Sequence, residues 1–308
     1  MTPDRANGGD RPARIVLFTY AAAEPFHAAL MDMAQSNLVG LGWRDARFRR
    51  VFGGRDLQAL PGLARDIVAC GPDIVLSFMT NANLAMAAAT QHSPVPVVGW
   101  SMDLDGACLT GPQAPVLGNL TGVTLPVDYQ RDQLRLLRAL KPGLRRIGHL
   151  FNPSYAVANP ALAKLRQAAV EVGIEVEAHL CAAPTDLAAS VARLADLGVE
   201  ALTVGPHEMF NANGAILAAA ALSRGLPAIG LESLAMHGGV AGYAPDFPAI
   251  WQQGARMADQ VLRGVAVTSI PVDRTIAPRL ILNLGAIRAL GLEVPEYLLA
   301  AADRVVDS

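Results

Sequence analysis

The same order of strands and helices occurs twice in this chain, and this repeat is the strongest constraint on its fold. The first copy begins with the apolar run 14–18, and the second begins with the run 146–150. Each copy continues with a helical stretch, a second short run, another helix, a further strand and an Ala-rich helix. Each copy then ends in a Pro-containing run that stops at a glycine, at 95–99 and at 226–230. Two such units predict two similar lobes with a cleft between them, where a ligand would lie.

Composition limits the classes to which the chain can belong. Its 308 residues are enough for two domains. The chain is 52% hydrophobic but only 5% aromatic, which suits an α/β protein rich in Ala, Leu and Val. The formal net charge of -2 gives no basic footprint, so we expect no nucleic acid partner. Cys70, Cys108 and Cys181 form no C-x-x-C pair that would indicate a zinc or dithiol site. No apolar run reaches the roughly 18 residues of a membrane-spanning helix.

Short β-branched runs alternate with longer helical segments, which favours parallel sheets covered by helices on both faces. In the first copy we predict strands near 15–20, 46–52, 73–78, 95–100 and 120–124, with helices near 25–41, 56–70 and 82–91. In the second copy we predict strands near 146–151, 174–180, 201–205 and 228–230, with helices near 160–172, 186–197 and 211–224. Further predicted elements are an amphipathic helix at 128–140, a helix at 248–263, a strand at 279–282 and a last helix at 295–306. The predicted fold class is α/β, with two similar Rossmann-like lobes.

The chain is expected to cross between the lobes more than once, which makes a hinge. Candidate crossings are 124–128 and 242–246, after which helix 248–263 returns to the first lobe. These crossings divide the chain into a disordered leader at 1–13, a first lobe at 14–124 plus 246–275, and a second lobe at 125–245 plus 276–308. The polar leader lacks the apolar core of a secretory signal. The sequence therefore leaves open whether the protein stays in the cytoplasm or a signal has been removed.

Candidate ligand-binding residues follow the predicted strands, because open α/β sheets bind ligands at the carboxyl ends of their strands. They are the polar residues Thr80, Asn81, Ser101, Asn152 and Asn159, the aromatic residues Tyr20, Trp100, Phe151 and Tyr155, His207, and the acids Asp103, Glu208 and Glu232, one of which could pair with an ammonium group. Each has a simpler interpretation that stays open. The polar residues can cap helices or form turns, the aromatic residues can lie at the edge of the core, and the acids can be surface carboxylates.

Motifs for catalysis are absent or incomplete. The chain has no P-loop, no H-E-x-x-H and no G-x-G-x-x-G after its first strand. The segment 99–103 has Asp103 where the hydrolase elbow G-x-S-x-G requires its closing glycine. The pair His207-Glu208 lacks the spacing of metal ligands. We therefore expect no enzyme, no cofactor and no metal site.

Several stretches, taken in order, resemble one protein family. Residues 71–85 are similar to the family's strand and T-P-A-A-L-A loop, and residues 95–103 lead to Asp103 as in its G-D-P loop. Residues 119–123 are similar to N-I-T-G-V, 150–153 to L-(W/Y)-N-P, 238–243 to A-G-G-L-M-S-Y, and 282–295 to I-N-L…A-L-G-L-x-I-P. From about residue 15 to residue 306, the chain resembles the substrate-binding proteins of ABC transporters, some of which bind aromatic amino acids such as tryptophan.

The resemblance implies a type I periplasmic-binding fold that closes by a hinge motion on a small solute, without cofactor or catalysis. It also implies a periplasmic location and an ABC transporter permease as partner, and we expect a monomer. In the family's pattern, Thr80, Asn81 and the stretch 155–159 would bind the carboxylate of an apolar or aromatic amino acid, and Asp103 its ammonium. A further acidic position falls on His207 or Glu208. Two alternatives stay open: a cytoplasmic ligand sensor of the same fold, and an enzyme acting on a small molecule in the same cleft.

Overall fold

The computed structural model describes residues 11–102, 119–125 and 129–307. The described residues divide into two compact units. The first unit contains those within Met1–Pro126 and Asp246–Ile276, and the second contains those within Val127–Pro245 and Ala277–Ser308. The chain therefore passes between the units three times.

The first unit is built on a five-stranded parallel sheet with the order β2-β1-β3-β4-β5. Its first segment contains β1 (Arg14–Thr19), α1 (Pro25–Gly40), β2 (Arg47–Phe52), α2 (Leu60–Ala69), β3 (Ile74–Phe78), α3 (Thr80–Ala89), β4 (Val97–Met102) and β5 (Leu120–Leu125). The strand order reverses between β1 and β3, which is the kind of position where open α/β sheets bind ligands.

The second unit is built on a seven-stranded sheet with the order β12-β11-β10-β9-β8-β6-β7, in which β10 and β11 pair antiparallel and the other described pairs are parallel. Its first segment contains α4 (Tyr129–Leu140), β6 (Arg146–Phe151), α5 (Ala158–Glu171), β7 (Glu175–Leu180), α6 (Leu187–Asp196), β8 (Ala201–Val204), α7 (Glu208–Ala212), α8 (Gly214–Ser223), β9 (Ala228–Gly230), α9 (Glu232–Met236) and β10 (Ala241–Ala244). The chain then adds α10 (Phe247–Leu262) to the first unit and returns for β11 (Arg279–Asn283), α11 (Leu284–Ala289), α12 (Glu296–Ala301) and β12 (Arg304–Val306). Here the order reverses between β6 and β8. Short 3-10 helices lie at Pro184–Asp186 and Val267–Ser269.

Burial explains why these segments take these conformations. The apolar run 15–18 of β1 is buried, as expected for an inner strand of a parallel sheet. The edge strand β2 instead exposes Arg47, Arg49 and Arg50, and charges on an edge strand oppose pairing with other chains. Helix α10 packs on α1 and on strands β3, β4 and β5 of the first unit. The predicted α/β class with two mostly parallel sheets is confirmed.

The predicted last helix at 295–306 is wrong in its C-terminal half. Helix α12 ends at Ala301, and Arg304–Val306 pair in parallel with β11 as the edge strand β12. The carboxylate of Asp303 accepts a hydrogen bond from the N–H of Leu280 at 2.8 Å, which ties this segment to β11. Two adjacent valines favour a strand once the backbone groups of β11 are there to pair with.

The predicted helix at 211–224 is two helices, α7 and α8, which meet at Asn213. The side-chain amide of Asn213 donates to the carbonyl of Met209 at 2.7 Å and so ends α7. A Cβ atom at Gly214 would overlap the side chain of Ser233, so the start of α8 lies directly against α9. As a consequence, Glu208 lies in the first turn of a helix that the sequence did not predict.

Candidate functional site

The turn between β3 and α3 in the first unit has a strained backbone. Met79 has φ 74° and ψ 152°, a conformation that residues other than glycine rarely adopt. Its N–H donates to the carbonyl of Trp100 at the end of β4, at 3.0 Å. Such strain costs roughly 1–3 kcal/mol and persists where the surrounding structure enforces it, often at ligand-binding sites.

The strained turn starts α3 two residues earlier than the sequence predicts. Thr80 and Asn81 therefore lie inside the first helical turn, and the interpretation of these two residues as caps is wrong. Both side chains are buried. The first turn of a helix carries N–H groups that point out of its N-terminus, at the positive end of the helix dipole. This end of α3 is thus suited to a carboxylate or another anion.

Aromatic side chains form a connected cluster at the same carboxyl edge. The ring of Trp100 lies 5.2 Å from that of Phe247 in an edge-to-face arrangement and 6.0 Å from that of Trp251. Phe26 lies edge-to-face with Phe247 at 5.9 Å. Phe26 and Phe247 are half-buried, whereas Trp100 is buried beneath them. Trp100 was a candidate from the sequence, whereas Phe26 and Phe247 were not, because they lie at the starts of two helices that are far apart along the chain.

The remaining candidates of the first unit have less defined roles. Tyr20 is buried directly after β1, and its carbonyl accepts a hydrogen bond from the N–H of Arg55 at 2.9 Å. Ser101 lies in β4 opposite Thr124 of β5, but its side chain is not described. Asp103, which the resemblance implied for an ammonium group, lies outside the described residues.

In the second unit, a hydrogen-bond network joins the ends of β6 and β8, on either side of the switch point. The backbone N–H of Met209 donates to Nδ1 of His207 at 3.0 Å. The other ring nitrogen, Nε2, lies 3.2 Å from Oγ of Ser154, which in turn donates to Oδ1 of Asn152 at 2.7 Å. Because Nδ1 accepts, Nε2 is the protonated nitrogen of a neutral ring and donates to Ser154. The network fixes the orientation of the His207 ring.

Glu208 is a buried carboxylate beside this network. Its side chain is only 1% exposed, and Oε2 lies 3.5 Å from Nδ1 of His207. A carboxylate buried to this extent is costly unless donors or a cation compensate its charge, and its two oxygens can accept about four hydrogen bonds. The interpretation of Glu208 as a surface carboxylate is wrong, and the geometry suits recognition of a positive group.

Aromatic rings surround the same network. The His207 ring has edge-to-face contacts with the rings of Tyr155, at 5.9 Å between centroids, and Phe210, at 6.0 Å. Phe151, at the end of β6, is half-buried. The structure thus brings four sequence candidates to one edge, namely Asn152, Tyr155, His207 and Glu208.

Two sequence candidates of the second unit do not join this network in the described contacts. Asn159 lies in the first turn of α5 and is exposed. The side chain of Glu232 is 45% exposed and lies 3.5 Å from Nη1 of Arg304 in β12, an ion pair at the far side of β9 from His207. A half-exposed pair of this kind contributes little to stability or to recognition.

His149 lies beneath this edge, in β6, and is completely buried. Its Nδ1 lies 2.9 Å from Oγ1 of Thr203, and that hydroxyl donates to the carbonyl of Gly148 at 3.3 Å. The ring therefore donates through Nδ1 and is neutral. Burial, with a smaller repulsion from Arg166, lowers the pKa of His149 to about 3.

The buried His149 predicts a pH dependence of folding. Because its pKa in the unfolded chain is about 6.5, the unfolded chain takes up a proton first as the pH falls. His149 therefore has no effect on stability above neutral pH and lowers the free energy of unfolding by about 2 kcal/mol between pH 7 and pH 5. Glutamine cannot titrate, so the free energy of unfolding of His149→Gln, measured with urea, should not fall in this way between pH 7 and pH 5. The exposed His92 provides the control: if His92→Gln reduces the pH dependence as much as His149→Gln does, this assignment is wrong.

Among the described residues, no group of three or more His, Cys, Asp or Glu side chains could hold a metal ion. A search of the same residues found no helix with the length and hydropathy needed to cross a membrane.

Comparison with known proteins identifies the family. A family model described as ABC transporter substrate binding protein matches residues 50–306. A tyrosine-binding protein of Clostridioides difficile (strain R20291) is 21% identical over 239 residues, which are 77% of this chain and 68% of that protein. These matches cover most of the chain.

Solved structures agree with this result. An ABC domain from Streptococcus pneumonia in complex with L-Trp is similar with a TM-score of 0.84 and 22% identity, over 96% of this chain and 99% of that chain. A conserved domain protein from Vibrio cholerae is similar with a TM-score of 0.85 and 22% identity, over 96% of this chain and 100% of that chain. The predicted type I periplasmic-binding fold is confirmed. The chain belongs to the family of ABC transporter substrate-binding proteins.

Proposed function

We propose that this substrate-binding protein supplies an ABC importer with an α-amino acid whose side chain is apolar or aromatic. The observation that carries the proposal is the chemistry of the two carboxyl edges. One edge has a helix N-terminus behind a strained turn, which suits an anion, and the other has a buried carboxylate, which suits a cation. An α-amino acid carries both charges. The relatives that bind tyrosine and L-Trp support the same ligand class.

The carboxylate of the ligand binds at the first turn of α3. Thr80 and Asn81 supply side-chain donors there, and the dipole of a helix of ten residues adds a favourable potential. Interactions of this kind contribute about 0.3–1 kcal/mol when exposed and more in a partly buried site. This subsite selects carboxylates over neutral ligands such as sugars.

The ammonium of the ligand binds Glu208 of the second unit. A buried pair of opposite charges is strongly favourable only when hydrogen bonds hold its geometry. Here hydrogen bonds with Met209 and Ser154 hold the His207 ring, and its Nδ1 lies 3.5 Å from Oε2 of Glu208. The side chain of the ligand then contacts aromatic rings, which are Phe26, Trp100 and Phe247 in the first unit and Phe151 and Tyr155 in the second.

A thermal-shift screen tests this function. The purified protein is melted with each of the 20 common amino acids, with tryptamine, which lacks the carboxylate, and with indole-3-propionic acid, which lacks the ammonium. A ligand present at 100 times its Kd adds about 2.7 kcal/mol to stability. We expect clear shifts with aromatic or large apolar amino acids and much smaller shifts with the two analogues. If no amino acid raises the melting temperature, the proposed ligand class is wrong.

Replacing Phe247 with alanine should lower the affinity for an aromatic amino acid about tenfold, because the ligand ring loses an edge-to-face partner and apolar contact area. Calorimetric titration with L-tryptophan measures the effect. The matched control is Tyr297→Ala on α12, because Tyr297 is 63% exposed and lies outside the proposed site. Equal affinities for Phe247→Ala and the unmodified protein would remove Phe247 from the site.

We also infer that the protein acts as a monomer in the periplasm and transfers its ligand to an ABC transporter permease. Family membership supports both the location and the permease partner. Co-purification with the membrane-embedded permease in the presence of the ligand tests the partner, and sedimentation analysis tests the monomer. Retention of the protein in the cytoplasmic fraction after osmotic shock would contradict the location.

A further inference from the structure

The side chain of Asn83 holds the strained β3–α3 turn against the end of β4. Asn83 is buried in the first turn of α3, and its Nδ2 donates to the carbonyl of Trp100 at 2.8 Å. The same carbonyl accepts the N–H of Met79 at 3.0 Å, and the N–H of Asn83 donates to the carbonyl of Met79 at 3.1 Å. One carbonyl on β4 therefore fixes both the strained residue and the helix that follows it.

Gly99 makes this arrangement possible. A Cβ atom at this position would lie 2.7 Å from Oδ1 and 2.9 Å from Nδ2 of Asn83, closer than real side chains approach. The amide of Asn83 thus lies directly against the backbone of β4 at Gly99. Oδ1 is buried and has no hydrogen-bond donor among the described residues. An unsatisfied buried acceptor costs about 1–3 kcal/mol, so this asparagine is not explained by stability alone.

We propose that Asn83 is a positioning residue, which aims the first turn of α3 at the carboxylate of the ligand. The proposal rests on the proposed function, because it assigns the carboxylate subsite to α3. Without the bond from Nδ2 of Asn83, the β3–α3 turn loses one of the two hydrogen bonds that join it to the carbonyl of Trp100. The start of α3 then shifts, and Thr80 and Asn81 shift with it.

The test uses Asn83→Leu, which keeps the shape of the side chain and removes its donor, and Asn83→Ala in case leucine does not fit. The matched control is Thr90→Val at the other end of α3, which removes a buried hydrogen bond from Oγ1 to the carbonyl of Met86 at 2.8 Å. Each protein is titrated with L-tryptophan and with tryptamine. We expect the Asn83 variants to bind L-tryptophan about tenfold more weakly than the unmodified protein does. Their affinity for tryptamine should equal that of the unmodified protein. Thr90→Val should bind both ligands as the unmodified protein does.

A loss of affinity that is equal for L-tryptophan and tryptamine would overturn the proposal, because it would indicate a general structural effect. So would unchanged affinity for L-tryptophan. Hydrogen exchange of the segment 79–84, measured without ligand, tests the positioning role of Asn83 separately from the proposed function. We expect faster exchange in the Asn83 variants than in Thr90→Val even if no amino acid binds, and equal exchange would contradict the positioning role by itself.

Discussion

Replacing Glu208 with glutamine is expected to weaken the binding of an aromatic amino acid by about 30-fold or more, because removing one partner of a buried charge pair typically costs at least about 2 kcal/mol. The side chain of Glu208 is only 1% exposed, so its charge acts in a medium that screens poorly. Glutamine keeps the shape of the side chain and removes the charge. Calorimetric titration with L-tryptophan measures the change.

Two controls make this result specific to the ammonium of the ligand. Indole-3-propionic acid lacks that group and should bind the unmodified protein and Glu208→Gln with equal affinity. Glu232→Gln removes a carboxylate that is 45% exposed and paired with Arg304, and it should leave binding unchanged. Affinity of Glu208→Gln for L-tryptophan within about twofold of the unmodified protein would contradict the assignment.

The largest expected effect on stability comes from Gly122→Ala in β5. Gly122 lies opposite Gly99 of β4 and has φ 152°, and a Cβ atom here would overlap the carbonyl oxygen of Gly99. Its own carbonyl accepts the N–H of Asp273 at 2.8 Å, in the segment that follows α10. Pairing with β4 and the hydrogen bond from Asp273 therefore hold the backbone of Gly122 in place. We expect a loss of more than about 4 kcal/mol in the free energy of unfolding, or failure of the protein to fold.

Thermal unfolding followed by circular dichroism measures this loss. The matched control is Gly143→Ala, because no atom lies within 4 Å of a Cβ atom at that position. It should change the melting temperature little. A melting temperature of Gly122→Ala equal to that of Gly143→Ala would show that the close approach of β4 and β5 is not as described.

The sequence predicted most of the sheet architecture because buried parallel strands leave a clear pattern. Runs such as 15–18 and 74–76 are apolar throughout, so the strands β1 and β3 could be located. The carboxyl ends of β3, β6 and β8 followed from such runs, and with them the candidates Thr80, Asn152 and His207. The failures lie where neighbours along the sheet decide the conformation, as in β12, which pairs with β11 only because that edge is available.

The finer geometry of the candidate site was not predictable from local sequence. A glycine at position 79 would have indicated a positive φ, but Met79 gives no such signal, so the early start of α3 was missed. Phe26 and Phe247 contact each other through the fold, and nothing in either neighbourhood indicates the other. Glu208 was open to interpretation as a surface acid because acidic residues usually are exposed. In the structure it lies buried at the start of the short helix α7, which the sequence did not predict.

The most direct test of the proposed binding mode is a crystal structure of the protein with the amino acid that gives the largest thermal shift. We expect the carboxylate of the ligand within hydrogen-bond distance of the first turn of α3, and the ammonium nitrogen about 3 Å from the carboxylate of Glu208. A bound amino acid with charged groups that contact neither α3 nor Glu208 would contradict it.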